Sequence, residues 1–476
     1  MVASFYFYDL ETSGFNPKAA RIMQFAGQRT DLNLKPIGQP DNFLIKLTDD
    51  VLPDPSAVLV HSITPQKTKA DGITEAEFLK YFNENILKPN TIFTGFNNIR
   101  FDNDFMRFTF WRNFYDAYEW AWKDGCGTWD LMDVARMTRA LRPAGIKWPF
   151  APDGKPSVRL ELLAAVNKLE HANAHDALSD VMALIDLARL IKNKQPKLFD
   201  YLLNMRDKKK VEPLVNSGKP LVYTSGRYPN EYEKTTVVAM VAPQPQRSAA
   251  LVYDLRVDPD EFSGLSSAQL AKLWQLRGED APYFPVKVLS YNKCPAIAPL
   301  SVLDDPSLKR LKLDKKVLAT NLKKLQAAKD FGPKLAAALD IMWPKDQTQI
   351  SPDPLKVDEQ LYDGFVPDSD KTKMSVVRAA DVNELSNLKL DFADERLKLL
   401  LPLYKARNFP KILSGEELDQ WEAFRTHKLL DGGEASRTAS FFKNLQELSA
   451  QPGLTSEQQY LLEELNLYAQ SIVPAA

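Results

Sequence analysis

The chain has 476 residues, of which 44% are hydrophobic and 26% are charged, and its formal net charge at pH 7 is −1. This length exceeds what one hydrophobic core usually holds and indicates about three domains, and the composition is typical of a soluble globular protein. The near-zero net charge excludes a strongly basic nucleic-acid-binding tail, but it does not exclude a basic groove that acidic surface elsewhere balances.

The first 195 residues alternate segments with strand-like and helix-like patterns. Strand patterns cover FYFYDLE (5–11), RIMQFAGQRTD (21–31), DNFLIKL (41–47) and TIFTGFN (91–97). Helical spacing covers TEAEFLKYFNENIL (74–87) and LSDVMALIDLARLIKNK (178–194). This alternation predicts a mixed α/β domain.

The pattern changes after residue 195. A basic stretch, whose lysines 208–210 we expect in a solvated loop, leads into β-rich runs that proline and glycine separate. These runs predict a small β-barrel-like domain, and they are PLVYTSG (220–226), TTVVAMVAP (235–243), SAALVYDL (248–255) and PVKVLSYN (285–292). Helical segments follow at 315–341, the proline-rich stretch 343–356 is the clearest linker, and the remainder is mostly helical.

From the cysteine content and the N-terminal residues we expect a cytoplasmic protein. Cys126 and Cys294 offer neither metal-ligand spacing nor a disulfide framework, which fits a reducing compartment. The N-terminal residues lead directly into the first strand without signal-peptide features, and no apolar stretch reaches the roughly 18 residues of a membrane span. We therefore expect no membrane partner.

The first strand carries two carboxylates on one face. Side chains alternate along a strand, so Phe5, Phe7, Asp9 and Glu11 point the same way. Two like charges on a mostly buried strand repel each other and resist desolvation, so basic partners or bound cations must compensate. Taken alone, the pair is more typical of an exposed strand end than of a site.

Two further acidic positions follow along the chain. Asp102 comes after Phe101 at the start of a predicted helix, where the helix dipole alone would favour a carboxylate. His175 lies five residues before Asp180, a spacing that aims an imidazole from a loop beside a carboxylate on the following helix. His171 and Asp176 have the same separation, so spacing leaves the register open.

Together the three motifs predict a metal-dependent active site. Four converging carboxylates need divalent ions between them, and oxygen ligands suit Mg²⁺ or Mn²⁺. Two such ions stabilise the attacking and leaving oxygens of phosphodiester cleavage, and a neutral histidine can accept a proton from the attacking water.

This ordered set resembles the DEDD exonucleases in their histidine-containing (DEDDh) branch, and the chain is similar throughout to the bacterial exonuclease I family. The segments that carry the resemblance are YDLETSG, GFNNIRFDND, WDLMDVARMTRALRPAGIKWP, SVRLELL, NAHDALSDVMALI, QPKLFDYLL, NKCPAIAP and KARNFP. The resemblance implies an enzyme that degrades single-stranded DNA from the 3′ end to mononucleotides. It also implies a C-shaped monomer with an α/β RNase-H-like exonuclease domain (1–195), an SH3-like β-barrel domain (196–348) and a helical C-terminal domain (349–476).

Motif matching to this family assigns the catalytic roles. It implies that Asp9, Glu11, Asp102 and Asp180 bind two Mg²⁺ ions, for which Mn²⁺ can substitute, with Asp9 bridging both ions. The pattern N-A-H-D-A-x-x-D selects His175 over His171 as the general base. Thr12 and Ser13 stand where the family has a Thr-Phe pair, and we expect this difference to alter contacts to the terminal base rather than the chemistry.

Binding of a single strand needs cations for phosphates and flat rings for bases. The resemblance favours five DNA-contacting residues, namely Arg107, Tyr118, Trp122, Arg136 and Arg159. The alternative role of the rings is core packing, and that of Arg159 is a structural ion pair. It also implies a site for the acidic, Phe-terminated tail of the single-stranded DNA-binding protein, which needs a cation and an apolar slot. The matching positions are Arg142, Tyr201, Arg310 and Lys315, where Lys315 replaces an expected arginine and loses its bidentate geometry.

Two alternatives compete with this interpretation. A proofreading-type or small-RNA exonuclease of the same branch needs only about the first 190 residues, and the two additional domains argue against it. A catalytically idle DNA-binding repair scaffold would be favoured by an incomplete acidic set, but all five catalytic positions are filled.

Overall fold

The computed structural model describes residues 2–169, 176–278, 281–343 and 351–474. The chain divides into two compact units. The first contains Met1–Gly127, Ala172–Met182 and Thr348–Ala476, and the second contains Thr128–His171 and Ala183–Gln347. Within the described residues, no helix is long and apolar enough to cross a membrane.

A five-stranded mixed sheet organises the N-terminal part of the chain, in the order β3-β2-β1-β4-β5. Its strands are β1 (Ser4–Thr12), β2 (Ile22–Thr30), β3 (Asp41–Leu44), β4 (Thr91–Gly95) and β5 (Gly127–Asp130). Central β1 pairs antiparallel with β2 and parallel with β4. The predicted mixed α/β domain is confirmed.

The two faces of β1 have different partners. Tyr6 and Tyr8 are buried on one face, and their rings lie against Phe25 and Phe93. Aromatic contacts of this kind stabilise a sheet beyond the area that they bury. They hold β1 at the centre of the core, which leaves the face with Asp9 and Glu11 for the site.

Four helices complete the N-terminal part of the first unit, namely α1 (Pro55–His61), α2 (Pro65–Asp71), α3 (Glu75–Tyr81) and α4 (Asp102–Arg112). The helix predicted at 74–87 is α3, which continues as one π-helical turn over Phe82–Ile86. The amides of Asn83 and Asn85 donate to the carbonyls of Leu79 and Tyr81. The carbonyls of Leu79 and Tyr81 therefore accept hydrogen bonds from side chains at the point where the helix widens into the π-helical turn.

The second unit contains an antiparallel sheet and most of the short helices. Its sheet order is β10-β6-β7-β8-β9, with strands β6 (Leu221–Thr224), β7 (Thr235–Gln244), β8 (Ala249–Asp254), β9 (Val286–Ser290) and β10 (Ala296–Pro299). The helices from α5 onward are α5 (Leu131–Leu141), α6 (Leu160–Asn167), α7 (Ala177–Lys194, which begins in the first unit), α8 (Pro196–Asn204), α9 (Lys208–Asn216), α10 (Asp260–Ser263), α11 (Ser267–Gln275), α12 (Asp305–Arg310), α13 (Lys315–Ala327) and α14 (Phe331–Met342). All four predicted β-rich runs contain a strand.

One loop prediction was wrong. Lysines 208–210 form the first turn of α9 rather than a solvated loop. The carboxylate of Asp207 accepts a hydrogen bond from the Lys209 N–H and caps the helix. Half of the predicted linker at 343–356, residues 344–350, lies outside the described residues.

The C-terminal helices pack on the N-terminal part of the first unit. They are α15 (Asp368–Ala379), α16 (Val382–Asn387), α17 (Glu395–Asn408), α18 (Gly415–Leu430), α19 (Arg437–Ser449) and α20 (Ser456–Ile472). The Trp111 indole N–H donates to the Val357 carbonyl at 3.1 Å, and both residues are buried. The predicted helical character of this region is confirmed.

Candidate active site

β1 presents Asp9 and Glu11 on the same face as the buried Phe5 and Phe7, at the end of the strand where the aromatic run stops. In the β1–β2 register Asp9 lies opposite Ala26 and Glu11 opposite Gln24. Both carboxylates are half-buried. Since the strand is fixed by its core partners, the two charges cannot separate by moving the backbone.

Asp180 joins these two residues from α7. One carboxylate oxygen from each of Asp9, Glu11 and Asp180 lies within 4.8 Å of the others. Three convergent carboxylate oxygens fit a hard divalent cation such as Mg²⁺ or Mn²⁺. The residues present therefore suit the metal chemistry that the sequence predicts.

Asp102 is the fourth carboxylate of the group, and its position depends on the close packing that follows β4. A Cβ on Gly95 would lie 2.6 Å from the Asn98 Cβ, so only glycine allows the chain to turn here. The start of α4 is held by Asn103, whose amide oxygen accepts hydrogen bonds from Asn98 and from the Tyr8 hydroxyl of β1. Asp102 lies in the first helical turn and is buried.

The four carboxylates influence one another's pKa values. Burial raises the pKa of Asp9 well above its usual range, and the charges of Asp102, Glu11 and Asp180 raise it further. Burial likewise raises the pKa of Glu11 to about 8, with added contributions from Asp180 and Asp102. The group therefore resists full ionisation, and a bound cation would remove this cost.

Sequence reasoning missed a contact that fixes the start of α7. The side-chain amide of Gln24 donates to a carboxylate oxygen of Asp176 at 3.0 Å, and its carbonyl accepts from the Ala177 N–H at 3.4 Å. The other Asp176 oxygen accepts from the Ser179 N–H at 3.3 Å. The signal was a glutamine within the apolar strand IMQFA, and its register opposite Glu11 makes it a positioning residue for Asp180.

Gln24→Leu is expected to raise the Mg²⁺ concentration needed for half-maximal activity by about 10- to 100-fold, as for other outer partners of metal ligands. Activity should return largely at saturating Mg²⁺, because the ligands themselves are intact. Gln28→Leu, on the same strand and also buried, is the control and should leave the Mg²⁺ requirement unchanged. An unaltered Mg²⁺ titration for Gln24→Leu would contradict the positioning role.

Thr12 and Ser13 form the turn that follows the carboxylates, and both are buried. The Thr12 hydroxyl donates to the Gly14 carbonyl at 3.0 Å. The Ser13 hydroxyl accepts from the Arg21 N–H at 2.8 Å, and the Ser13 N–H donates to the Arg21 carbonyl at 2.8 Å. The turn is thus fixed to the start of β2.

The aromatic stretch 107–122 separates into core and surface. Trp111 and Trp120 are buried, whereas Trp122 is 63% exposed. The Arg107 guanidinium lies 5.7 Å from the centre of the Tyr118 ring and pairs with Asp104 at 2.6 Å. The three residues favoured for DNA contact in this stretch are therefore all accessible in part.

A groove of about 1280 Å³ runs along the same part of the first unit. Tyr118 lines it together with Tyr362 and Phe365, and the Phe365 side chain is 98% exposed. Sequence reasoning missed both C-terminal rings. Both rings belong to the short stretch LYDGF (361–365), which lies between the linker and the first predicted C-terminal helix.

The remaining candidate residues lie in the second unit. Arg136 pairs with Asp133 at 2.6 Å, and Arg159 is exposed just before α6. Both line one small pocket.

Two of the four residues proposed for the protein tail, Arg142 and Arg310, lie at the end of α5. Arg142 donates to the Val302 carbonyl at 2.8 Å, and Arg310 donates to the Ala140 carbonyl at 2.8 Å. The buried Tyr201 hydroxyl has no hydrogen-bond partner among the described residues. Lys315 is largely exposed and lies 3.6 Å from Asp305.

The two histidines of the third motif, His171 and His175, lie outside the described residues. The choice of His175 as general base therefore stays a prediction.

Three domain families match the chain. A family described as Exonuclease matches residues 6–188, the Exonuclease I SH3-like domain matches 206–340, and the Exonuclease I C-terminal domain matches 355–472.

Curated relatives match over nearly their full length. The chain is 40% identical to exodeoxyribonuclease I of Haemophilus influenzae over 473 residues, which is 98% of each protein. It is 38% identical to exodeoxyribonuclease I of Escherichia coli over 481 residues, which covers 99% of this chain and 98% of that protein.

Solved structures of relatives have the same fold. Escherichia coli exonuclease I with a dA16 oligonucleotide superposes with a TM-score of 0.92 at 38% identity, and the zinc-bound complex with single-stranded DNA has a TM-score of 0.92 at 37% identity. A complex of SSB and exonuclease I with an inhibitor has a TM-score of 0.88 at 38% identity. Each comparison covers 99% of this chain and all of the other.

Proposed function

The chain belongs to the exonuclease I family and is a 3′→5′ exonuclease of single-stranded DNA, and we propose that Asp9, Glu11, Asp102 and Asp180 form its catalytic metal site. The observation that carries this proposal is the convergence of the Asp9, Glu11 and Asp180 carboxylates on one side of β1. We also propose that the three domains extend over 1–195, 196–348 and 349–476.

Two Mg²⁺ ions are the proposed cofactor, with Mn²⁺ as a substitute. Bound divalent ions stabilise the attacking and leaving oxygens of phosphodiester cleavage. The chain's own contribution is a rigid oxygen set, because β1 fixes two carboxylates while α4 and α7 each supply one. The raised pKa values of Asp9 and Glu11 express the repulsion that the ions would relieve.

His175 is the proposed general base that takes the proton from the attacking water. Its replacement by alanine is expected to lower turnover by about 10²- to 10⁴-fold while DNA binding survives. Turnover is measured as single-turnover cleavage of single-stranded DNA. DNA binding is measured separately in chelator, where no DNA is cut. His171→Ala is the matched control, and a larger loss in that variant than in His175→Ala would reverse the assignment.

Stacking and phosphate contacts are proposed to hold the strand. In the first unit, the proposed contacts with the DNA strand are made by Arg107, Tyr118 and Trp122, and the partial exposure of these side chains supports this role. Thr12 and Ser13 are proposed to contact the terminal nucleotide through the fixed turn after β1. Arg136 and Arg159 are the proposed phosphate contacts of the second unit.

The proposed protein partner is the C-terminal tail of the single-stranded DNA-binding protein. Arg142 and Arg310 are the proposed cations of this site, Tyr201 its proposed ring contact, and Lys315 adds an exposed charge. A relative has been seen in complex with SSB, which supports the choice of partner. We further propose that the enzyme is a monomer that acts in the cytoplasm and reaches the nucleoid through DNA.

A substrate comparison tests the proposed function. Purified protein is given 3′-labelled single-stranded DNA, duplex DNA or RNA, each with Mg²⁺ and with chelator. We expect release of labelled mononucleotide only from single-stranded DNA and only with Mg²⁺. Release from RNA would favour the small-RNA alternative, and no release from any substrate would favour an idle scaffold.

A further inference from the structure

The segment that contains α1 covers the turn that follows Glu11. The Asp54 N–H, at the N-terminal end of α1, donates to the Ser13 carbonyl at 2.7 Å. The His61 ring, at the C-terminal end of α1, bonds to the Thr12 carbonyl through Nε2 at 3.2 Å. Two successive carbonyls of the turn are therefore held by the two ends of one helix.

The hydrogen bonds of the His61 ring define its tautomer. His61 is buried, and its Nδ1 accepts a hydrogen bond from the Ile63 N–H at 3.0 Å. A ring nitrogen that accepts carries no proton, so the proton is on Nε2, which donates to the Thr12 carbonyl. Ser62, whose φ of 59° lies in the left-handed region, turns the chain so that the Ile63 N–H faces back to the ring. The ring is thus fixed on both sides in the orientation that donates to the turn.

The Thr12 carbonyl lies where the sheet is irregular. Glu11 pairs with Gln24 of β2, whereas Thr12 pairs with Ile22, so β2 carries one additional residue at this point. An extra residue of this kind disrupts the ladder of hydrogen bonds locally and bends the strand. The His61 ring, a donor from outside the sheet, therefore fixes the backbone one residue beyond Glu11, where the regular ladder ends.

The helix that carries His61 is itself anchored in the core of the first unit. Val58 of α1 is fully buried in a hydrophobic cluster with residues of α19 and α20, among them Phe441, Leu461 and Leu465. Side chains in such a packed cluster have little freedom to shift. His61 therefore connects the packed C-terminal helices to the turn after the acidic strand.

We propose that His61 is a positioning residue of the metal site, because its Nε2–H holds the Thr12 carbonyl and thereby the backbone that sets the Glu11 carboxylate. The proposal rests on the proposed function, in which Glu11 binds a divalent ion. Mg²⁺ demands near-ideal octahedral geometry, so a small displacement of one ligand oxygen weakens its binding. A histidine that served core packing alone would affect the stability of the fold but not the affinity for the metal, which separates the two roles.

Metal binding by the full-length protein without DNA tests the proposal. Mn²⁺ is titrated and followed by the EPR signal of the free ion, beside the Mg²⁺ dependence of DNA hydrolysis and thermal unfolding in chelator. His61→Leu, which keeps the apolar volume, is expected to weaken Mn²⁺ binding roughly tenfold and to raise the Mg²⁺ requirement by the same factor, as for outer partners of metal ligands. DNA binding in chelator should not change.

Two conservative variants separate the two ring nitrogens. The side-chain amide of His61→Gln reaches the position of Nε2 and can donate to the Thr12 carbonyl, so this variant should restore Mn²⁺ binding. The shorter amide of His61→Asn reaches only the position of Nδ1 and should not restore it. His427→Leu, at an exposed histidine of α18, is the matched control and should behave as wild type.

Each result decides between the two roles. Unchanged Mn²⁺ binding in His61→Leu with a lower unfolding temperature would overturn the proposal, as would equal restoration by His61→Asn and His61→Gln. If His61→Leu does not fold, the comparison of His61→Gln with His61→Asn decides in its place, and equal Mn²⁺ binding by these two variants would overturn the proposal. Failure of the proposed function shows separately, because wild type would then bind Mn²⁺ but not degrade single-stranded DNA with Mg²⁺.

Discussion

Asp9→Asn is expected to lower DNA hydrolysis by about 10⁴-fold at saturating Mg²⁺. The charges of Asp102, Glu11 and Asp180 each raise the pKa of Asp9, and one of its carboxylate oxygens lies within 4.8 Å of oxygens of Glu11 and Asp180. Removing it takes away several kcal/mol of charge stabilisation in the transition state, and each 1.36 kcal/mol corresponds to a factor of ten in rate. Single-turnover cleavage of labelled single-stranded DNA measures the loss, with binding in chelator as the companion measurement.

The same substitution should have the opposite effect on stability without metal. Burial raises the pKa of Asp9, and so do the charges of Asp102, Glu11, Asp180 and Asp176, so its ionised form destabilises the metal-free fold. Asp9→Asn is therefore expected to unfold at a higher temperature than wild type in chelator, and to gain less from added Mg²⁺. Asp391→Asn, at a highly exposed carboxylate, is the control for both measurements. Activity within tenfold of wild type would contradict the central role of Asp9.

The acidic face of β1 was predictable because strand geometry is local. Side chains alternate with period two, so an apolar and aromatic run fixes which face Asp9 and Glu11 share. The structure confirms the strand and its burial. The convergence with Asp180 needed the whole motif set, because no local rule places a residue of α7 beside β1.

Local side-chain bonds explain the departures within elements. The side-chain amides of Asn83 and Asn85 donate hydrogen bonds to carbonyls of the preceding helical turn. The spacing of apolar residues, from which the helix was predicted, carries no information on such hydrogen bonds. Asp207 caps a helix at lysines 208–210, which are exposed as expected but lie in a helix instead of the predicted loop. In both cases the structure depends on polar side chains at particular positions, which composition and periodicity do not identify.

Long-range polar pairing was not predictable from the sequence. Gln24 reaches Asp176 across 152 positions, and Arg21 reaches Asp358 across 337. Burial of Arg21 requires a partner, but nothing near it in the chain identifies which carboxylate that is. The four carboxylates of the candidate site could be proposed from their motifs, whereas the polar partners Gln24 and Asp358 could not.

The buried cluster around Asp358 links the C-terminal region to the catalytic turn. The Asp358 carboxylate lies 2.8 Å from Arg21 and 2.7 Å from Arg407, while Asp50 lies 2.8 Å from Arg407 and also pairs with Lys428. All five side chains are buried. Since the Arg21 backbone pairs with Ser13 in the turn after Glu11, this cluster also supports the catalytic strand.

Asp358→Asn is expected to lower the free energy of unfolding by about 3 to 5 kcal/mol at pH 7, because three buried cations are then left with Asp50 alone. Burial alone would raise the pKa of Asp358, but Arg407 and Arg21 outweigh it and lower the pKa. The ionised carboxylate therefore stabilises the fold above its ordinary pKa of about 3.9, and this contribution is lost as the pH falls through the lower folded-state value. Denaturant unfolding from pH 7 downward should show the difference between variant and wild type shrink below about pH 4. Asp368→Asn, at an exposed ion pair of α15, should cause no measurable change, and a similar result for Asp358→Asn would show that the cluster does not stabilise the fold.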